Sequence, residues 1–169
     1  MDKKLQGAIN DQIKEEIYSA YIYLAMSAYC KGNNLDGLAN WFEIQYKEEM
    51  DHAMGFYTYL FERDGIVELQ EIPKPPASYK NVSELFEETL KHEQYITGKI
   101  NNLYKMAVEL DDFSAQSFLK WYIDEQVEEE DNARNLIEKL KLVGEKGEAI
   151  YWLDKDLSAR VYTPGGPYV

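Results

Sequence analysis

The chain of 169 residues contains one cysteine, Cys30. A lone thiol excludes an internal disulfide framework and any CxxC metal site. No apolar run approaches the ~20 residues that a membrane-spanning helix needs. The N-terminus, Met1-Asp2-Lys3-Lys4-Leu5, lacks the apolar stretch of a secretory signal. These absences together predict a cytoplasmic protein with no membrane partner. Basic residues are scarce as well: 18 against 31 acidic, for a net charge of −13 at pH 7. Nucleic acid is therefore not expected as a partner, because phosphate neutralisation needs clustered Lys and Arg. The acidity fits plain solubility, and it equally fits steering of cations toward an interior site. Composition alone does not separate the two. The length suits one compact domain over residues 1–169.

Apolar residues recur at helical spacing through nearly the whole chain. The pattern predicts helices over about 3–31, 36–64, 81–110 and 113–143, and a shorter fifth over 148–160. The breaks carry turn chemistry: Asn33-Asn34 after Gly32, Gly65, Asp111-Asp112, and Gly144. Glycine at a helix end accepts the left-handed conformation that terminates a helix. Pro73, Pro75 and Pro76 fix φ and lack the amide donor, so 65–80 reads as an extended connection. Asn81 with Glu84 three residues later reads as a capping pair for the third helix. The tail Thr163-Pro164-Gly165-Gly166-Pro167 reads as irregular, giving an irregular tail over 161–169.

Connection lengths predict topology. Short turns make the first and second helices antiparallel, and likewise the third and fourth. A helix of ~29 residues spans ~43 Å. About fifteen extended residues at ~3.3 Å each cover that distance. The second and third helices can then run parallel, joined by one crossover along the bundle. The expected fold is an all-α four-helix bundle with one long crossover, plus a short C-terminal helix.

The core stripes are where this sequence departs from an ordinary bundle. Ile9, Ile13, Glu16, Ala20, Tyr23 and Ser27 form the first; Leu38, Phe42, Gln45, Glu49, His52, Phe56 and Tyr59 the second. Phe86, Thr89, Glu93, Ile96, Ile100, Leu103, Ala107 and Leu110 form the third; Ala115, Leu119, Tyr122, Gln126, Glu129, Ala133, Leu136 and Leu140 the fourth. Each is apolar at its ends and carries a carboxylate near the helix midpoint, so Glu16, Glu49, Glu93 and Glu129 should share one level. His52 lies one turn after Glu49 in the same layer. Burying an unpaired carboxylate costs several kcal/mol even after relaxation. Any one of these glutamates could be snorkelling or exposed; four in register imply a cation. Oxygen ligands with one imidazole suit iron or manganese, and zinc could also bind. Two metals sharing a carboxylate would use the whole set. Di-metal carboxylate bundles are built this way, with one Glu from each of two helices and a Glu-x-x-His from each of the others.

At this point the chain resembles a known family, the non-haem ferritins of bacteria and archaea. The resemblance spans essentially all of it. It rests on Glu16-Ile17-Tyr18-Ser19, Glu48-Glu49-Met50-Asp51-His52-Ala53, Lys91-His92-Glu93, Phe118-Leu119-Lys120-Trp121-Tyr122 and Glu125-Gln126-Val127-Glu128-Glu129-Glu130. It implies one iron site on Glu16, Glu49 and His52. A second would use Glu49 as the bridge with Glu93 and Glu129, and Gln126 nearby. It further implies ferroxidase activity with dioxygen or peroxide, and storage of hydrous ferric oxide. The shell implied has twenty-four identical subunits, with the fifth helix lining its fourfold axes. The fourth helix offers Gln126-x-x-Glu129 instead of a second Glu-x-x-His, which separates the chain from bacterioferritins and rubrerythrins. Met50 sits where bacterioferritins place a haem-ligating methionine. The rest of that pattern is missing, so haem is not expected and Met50 reads as a packing residue. A discrete di-iron oxidase or peroxidase without mineral storage, a haem-containing bacterioferritin-like protein and a non-redox acidic metal buffer are the alternatives.

Glu125 and Glu128 share a face of the fourth helix, displaced from the core stripe, and Glu48 is placed similarly beside Glu49. A solvated acidic face would look the same. The resemblance implies a third iron site there, facing the inner cavity. Glu130, with Arg134 four residues on, reads as a surface pair. Tyr23 reads as a core aromatic whose hydroxyl bonds a carboxylate; the resemblance adds redox participation. Trp121 and Tyr122 read as core with an incidental redox role, His92 as surface or as support for a ligand, Cys30 as structural. The first helix from Ile17 to Cys30 is apolar on nearly every face, with Tyr18, Tyr21, Ile22, Ala25 and Tyr29 off the stripe, which predicts a subunit interface.

Overall fold

The computed structural model describes residues 1–144 and 146–168. These residues form five helices in order: α1 Lys3–Gly32, α2 Asp36–Glu62, α3 Val82–Glu109, α4 Phe113–Val143 and α5 Gly147–Leu157. Among the described residues there is no strand. None of the helices is long and apolar enough to cross a membrane.

Each long helix begins where a side chain can take up its free amides. The Asp2 carboxylate accepts from Lys4 N at 2.8 Å, Asn81 Oδ1 from Glu84 N at 2.9 Å, and Asp112 Oδ1 from Ala115 N at 3.0 Å. Asp112 also takes both arms of Arg63, at 3.0 and 2.9 Å, which ties the end of α2 to the start of α4. The start of α2 has no local cap. Asp154 of α5 supplies one from a distance, accepting from Leu38 N at 2.8 Å.

The tight turns use non-glycine residues at positive φ: Asn34 at 58°, Asp64 at 53° and Asp111 at 53°. Asn and Asp tolerate this region better than other side chains. The end of α2 thus differs from expectation. Asp64, not Gly65, is the left-handed residue, and α2 stops at Glu62. Gly65 serves as the next link, its N–H closing on Leu60 O at 2.8 Å. Gly144 is left-handed, at φ 76°.

The segment between α2 and α3 lies along α1 from end to end. Asn10 holds its start, donating to Ile66 O at 2.9 Å and accepting from Glu68 N at 2.7 Å. Tyr79 meets Tyr29 edge-on near the other end of α1, with centroids 5.3 Å apart. The crossover runs the length of the bundle as its prolines require, and α2 and α3 run parallel. Helices α1 and α2 pack together, as do α3 and α4, and α1 packs on α3.

Two apolar clusters fill the interior. One gathers Ile22, Met26, Leu38, Phe42, Phe86, Leu136 and Leu140. The other gathers Leu5, Ile9, Ile13, Phe56, Leu60, Ile96, Ile100, Leu103 and Leu119. Between them lies a polar level containing Glu16, Glu49, His52, Glu93 and Glu129. Every residue assigned to the four stripes is buried except Leu110. Leu110 is 41% exposed because α3 ends at Glu109 and its side chain falls beyond the last turn.

Helix α5 docks on the first turn of α2 and ends at Leu157, three residues before the expected Arg160. Asn40 explains the early stop: its amide donates to Leu157 O at 3.3 Å and to Arg160 O at 3.0 Å. Capture of both carbonyls turns the chain out of the helix. Residues 158–168 then run back along α2 without helix. Tyr162 donates to Asp51 Oδ2 at 2.6 Å and Tyr168 to Glu62 Oε2 at 2.6 Å. The expected irregular tail includes Val169, which lies outside the described residues.

The α2–α5 contact depends on Gly37. A Cβ there would sit 1.6 Å from the Asp154 carbonyl oxygen. Backbone cannot yield as a flexible side chain can, so Gly37→Ala is expected to lift α5 off α2. Overpacking of this kind costs about 1–3 kcal/mol. Hydrogen exchange should show lost protection across 147–157, with α1 and α3 unchanged.

Candidate metal centre

The helical repeat delivers four carboxylates and one imidazole to the middle of the bundle. Glu16 comes from α1, Glu49 and His52 from α2, Glu93 from α3 and Glu129 from α4, and none is more than 4% exposed. One potential ligand atom from each of Glu16, Glu49 and His52 lies within 4.8 Å of the other two. His52 Nδ1 is 3.5 Å from Glu49 Oε2. Glu16 is held on one side only, where Gln12 Nε2 donates to its Oε1 at 2.9 Å. Its other oxygen, Oε2, is buried with no hydrogen-bond partner among the described residues. A buried carboxylate oxygen left bare costs about 1–3 kcal/mol or more. A cation in the triplet would meet that need, so the donor set fits a metal ion.

Glu93 and Glu129 are not in the close triplet. Each is engaged instead by donors from neighbouring helices. Tyr23 OH donates to Glu93 Oε1, and Gln126 Nε2 donates to Glu93 Oε2 at 3.1 Å and to its carbonyl at 3.2 Å. Gln45 Nε2 donates to Glu129 Oε2 at 2.8 Å. Gln126 thus presents a donor to Glu93, the behaviour of a group that orients a ligand. Tyr23, fully buried, does the same from α1.

Crowding of like charge in a dry layer appears in the protonation equilibria. Burial first, then repulsion from Glu49, pushes Glu16 well above the usual carboxylate range. Burial, then Glu93 and Glu129, pushes Glu49 up. Burial and Glu93 raise Glu129 to about 8, against the favourable pull of His52. The Tyr23 phenol is also raised, by burial and then Glu93. These carboxylates hold protons near neutrality that an incoming cation would displace.

Among the displaced acids, Glu125 is the common neighbour: behind burial as the larger cause, its charge raises Glu48, and Glu128 raises it in turn. Glu125 Oε1 lies 3.9 Å from His52 Nε2, and Glu128 is exposed. Glu48, half-buried, accepts from Arg160 Nη2 at 2.7 Å. Burial raises Glu48 and Arg160 works against the rise. Around the layer, Tyr122 donates to the His52 carbonyl at 2.9 Å, and the Trp121 ring stands edge-on to His52 at 5.4 Å. His92 does not reach the layer: its Nε2 pairs with Ser19 Oγ at 2.7 Å. Glu130 is bound by Arg134 at 2.9 Å and by Thr97 at 2.8 Å. Cys30 is fully buried in the apolar cluster, its thiol pushed up to about 12 by burial.

A model of the ferritin-like domain matches residues 6–143, the four long helices that carry this layer. The chain belongs to the ferritin family. It is 41% identical over 155 residues to a bacterial non-heme ferritin of Campylobacter jejuni, covering 92% of this chain and 93% of that one. A bacterial non-heme ferritin of Staphylococcus aureus is 36% identical over 162 residues, covering 96% and 98%. Among solved structures, a closed form of the Archaeoglobus fulgidus ferritin engineered by mutagenesis superposes with a TM-score of 0.95 at 42% identity, covering 96% of this chain and 99% of that one. The open-pore ferritin of the same archaeon gives 0.94 at 42%, covering 95% and 98%.

Within this family frame, the roles that sequence reasoning missed are those of Gln12, Gln45 and Arg160 in holding the carboxylates. Gln12 lies one turn before Glu16, and Gln45 one turn before Glu49. A polar residue on an otherwise apolar stripe was the available signal for Gln45. Arg160 gave none beyond being the only cation after Lys155.

Proposed function

We propose that the chain oxidises Fe²⁺ in the carboxylate layer and stores the product as hydrous ferric oxide inside a shell of its own copies. The observation that carries this reading is the Glu16–Glu49–His52 triplet with the bare, buried Glu16 Oε2. Family membership supports iron as the cation. In this reading one Fe²⁺ is held by Glu16, Glu49 and His52. A second is held by Glu49, Glu93 and Glu129, with Gln126 and Tyr23 aiming Glu93. Glu16, Glu49, His52, Glu93, Glu129 and Tyr23 make up the ferroxidase centre.

Hard anionic oxygens favour Fe³⁺ over Fe²⁺ and so lower the potential of the couple. Each Fe²⁺ gives up one electron. A pair of ions reduces dioxygen, with two protons, to hydrogen peroxide; alternatively a pair reduces peroxide, with two protons, to water. Protons displaced from Glu49 and Glu129 as iron enters are available at the site. Tyr23 and Gln126 each bond one oxygen of Glu93 and so fix the plane in which it would meet an ion.

Glu48, Glu125 and Glu128 are assigned to a third iron site, on the way to the inner cavity. Replacing Glu125 and Glu128 with glutamine should leave the first oxidation fast. It should change the Fe²⁺-to-O₂ ratio or the recovery between successive additions. Unaltered stoichiometry with unaltered recovery would reduce both to surface charge.

A shell of twenty-four subunits is the assembly proposed, with α5 at the fourfold axes. The exposure of Tyr21 at 47% and Leu24 at 41% on α1 supports a subunit contact there. A cytoplasmic location is proposed with it, and haem is assigned no role at Met50, which is half-buried. Anaerobic loading with Fe²⁺, followed by oxygen uptake and assay of retained iron, tests the whole. Iron retained far beyond a pair of ions per subunit is expected. Retention of only a pair would mark a discrete oxidase, and binding without oxygen uptake a metal buffer.

A further inference from the structure

The segment after α5 returns a single cation to the carboxylate layer. Arg160 Nη1 donates to Gln45 Oε1 at 2.5 Å, and Arg160 Nη2 donates to Glu48 Oε2 at 2.7 Å. The guanidinium lies over the Trp41 ring, 5.0 Å from its centroid. Its place is set by the anchors described above: Asn40 on the Arg160 carbonyl, and Asp51 accepting from Tyr162 and, at 3.2 Å, from Gly165 N.

Gln45 is fully buried, and its amide has one accepting end and one donating end. A guanidinium has only donors. Arg160 therefore fixes Gln45 Oε1 toward itself, which turns Nε2 toward Glu129 Oε2 at 2.8 Å. The flipped amide would set its NH₂ against the guanidinium and its oxygen against the carboxylate, two repulsions in a dry site. The second arm of the fork occupies Glu48, which in the reading above is wanted by iron leaving the layer.

We propose that Arg160 is a positioning residue of the iron site: one arm locks Gln45 and so aims Glu129, while the other holds Glu48 until metal displaces it. This rests on the layer being the oxidation site. Arg is required because only a planar fork serves both acceptors at once. A lysine in its place can hold Glu48 but cannot lock the amide as well.

Three variants separate the two arms: Arg160→Met, Arg160→Lys and Gln45→Met. Each is titrated calorimetrically with Zn²⁺ without oxygen, then assayed for initial Fe²⁺ oxidation, with assembly checked by size exclusion. Arg160→Met is expected to tighten the weaker class of Zn²⁺ sites on the order of tenfold, as a close charge pair on Glu48 is removed. It should also lower the maximal initial rate on the order of tenfold through the loosened Glu129, with little change in the Fe²⁺ concentration needed for half-maximal rate. Arg160→Lys should keep the parent's Zn²⁺ affinities yet oxidise as slowly as the methionine variant. Gln45→Met should slow oxidation alone. Parent-like rates in both Arg160 variants would overturn the proposal, as would a rate loss in them that Gln45→Met does not share. Equal Zn²⁺ tightening in the lysine and methionine variants would overturn the arm on Glu48. Should Arg160→Met fail to assemble, the lysine and Gln45 variants still decide the matter. A parent protein that oxidises no Fe²⁺ would sink the ferroxidase reading itself, while the Zn²⁺ titration would continue to report on Glu48.

Discussion

Replacing Glu49 and His52 together with alanine is expected to remove the fast phase of Fe²⁺ oxidation, by on the order of 100-fold or more, while the protein still folds and assembles. The size follows from position: loss of correct placement alone costs on the order of 100-fold. Glu49 is the carboxylate that sits between the two halves of the layer. Repulsion from Glu93 and Glu129 reaches it, and its Oε2 lies 3.5 Å from His52 Nδ1. His52 is the only imidazole in the triplet. Folding should survive because the contacts that fix α2 near this point do not depend on either side chain. Tyr122 bonds the backbone carbonyl of residue 52, and Phe56 stacks on Tyr122 one turn later with centroids 4.1 Å apart. Stopped-flow absorbance after mixing with oxygenated buffer measures the phase; size exclusion and circular dichroism report the fold. An assembled double variant oxidising iron at the parent's initial rate would move the chemistry elsewhere, with Glu125 beside His52 the first place to look.

The carboxylate layer was legible in the sequence because burial follows a local period. Steps of three and four find the buried face of a helix whatever the residues on it are, and so they found Glu16 and Glu93 as readily as Ile13 and Ile96. The crossover was legible too, since prolines at 73, 75 and 76 bar a helix and the length needed is fixed by geometry. Turn chemistry was read less well. Gly65 drew the left-handed assignment that belongs to Asp64, because an aspartate tolerates that conformation without announcing it. The grip on the ligands was legible only in part: Tyr23 was read as bonding a carboxylate and it bonds Glu93, but the donors from Gln12, Gln45 and Arg160 were not read. Arg160 meets Gln45 and Glu48 across more than a hundred residues, and Asn40 ends α5 from the start of α2. No periodicity records such contacts. They also alter how a substitution should be chosen. Leucine at position 93 looks like a harmless core residue from the stripe, yet it would strand the Tyr23 hydroxyl and the Gln126 amide that now bond Glu93. Glutamine at 49 and 129 avoids this: both leave Glu93 in place, and at 129 the amide carbonyl can still accept from Gln45.

Without metal, the Glu49→Gln, Glu129→Gln protein is expected to be more stable than its parent at pH 8, by on the order of 1–4 kcal/mol, as for other buried charges removed. The pH dependence identifies the cause. Glu129 is raised to about 8 in the folded protein from an ordinary value of 4.5, and Glu49 is raised as well. Between those limits the folded state binds more protons than the unfolded chain, so unfolding releases protons and stability falls as pH rises. The part due to Glu129 is absent below about 4.5 and fully developed only above about 8, and Glu49 adds to the fall in the same direction. Parent and variant should therefore melt together near pH 4.5 and diverge steadily toward pH 8.5, with the parent's melting temperature the one that drops. Metal reverses the order. A cation bound only by the native state adds about 4 kcal/mol at a thousand times its dissociation constant. Zn²⁺ at pH 8 should then raise the parent's melting temperature by several degrees and the variant's far less, because Glu49 links both halves of the layer. Scans need equal subunit concentration and equal rate, since an assembled shell can unfold irreversibly. A metal-free variant that melts below the parent at pH 8 would mean the carboxylates are relaxed in the apoprotein. The layer would then be held by its own hydrogen bonds from Gln12, Gln45, Gln126 and Tyr23, with no strain for a cation to relieve.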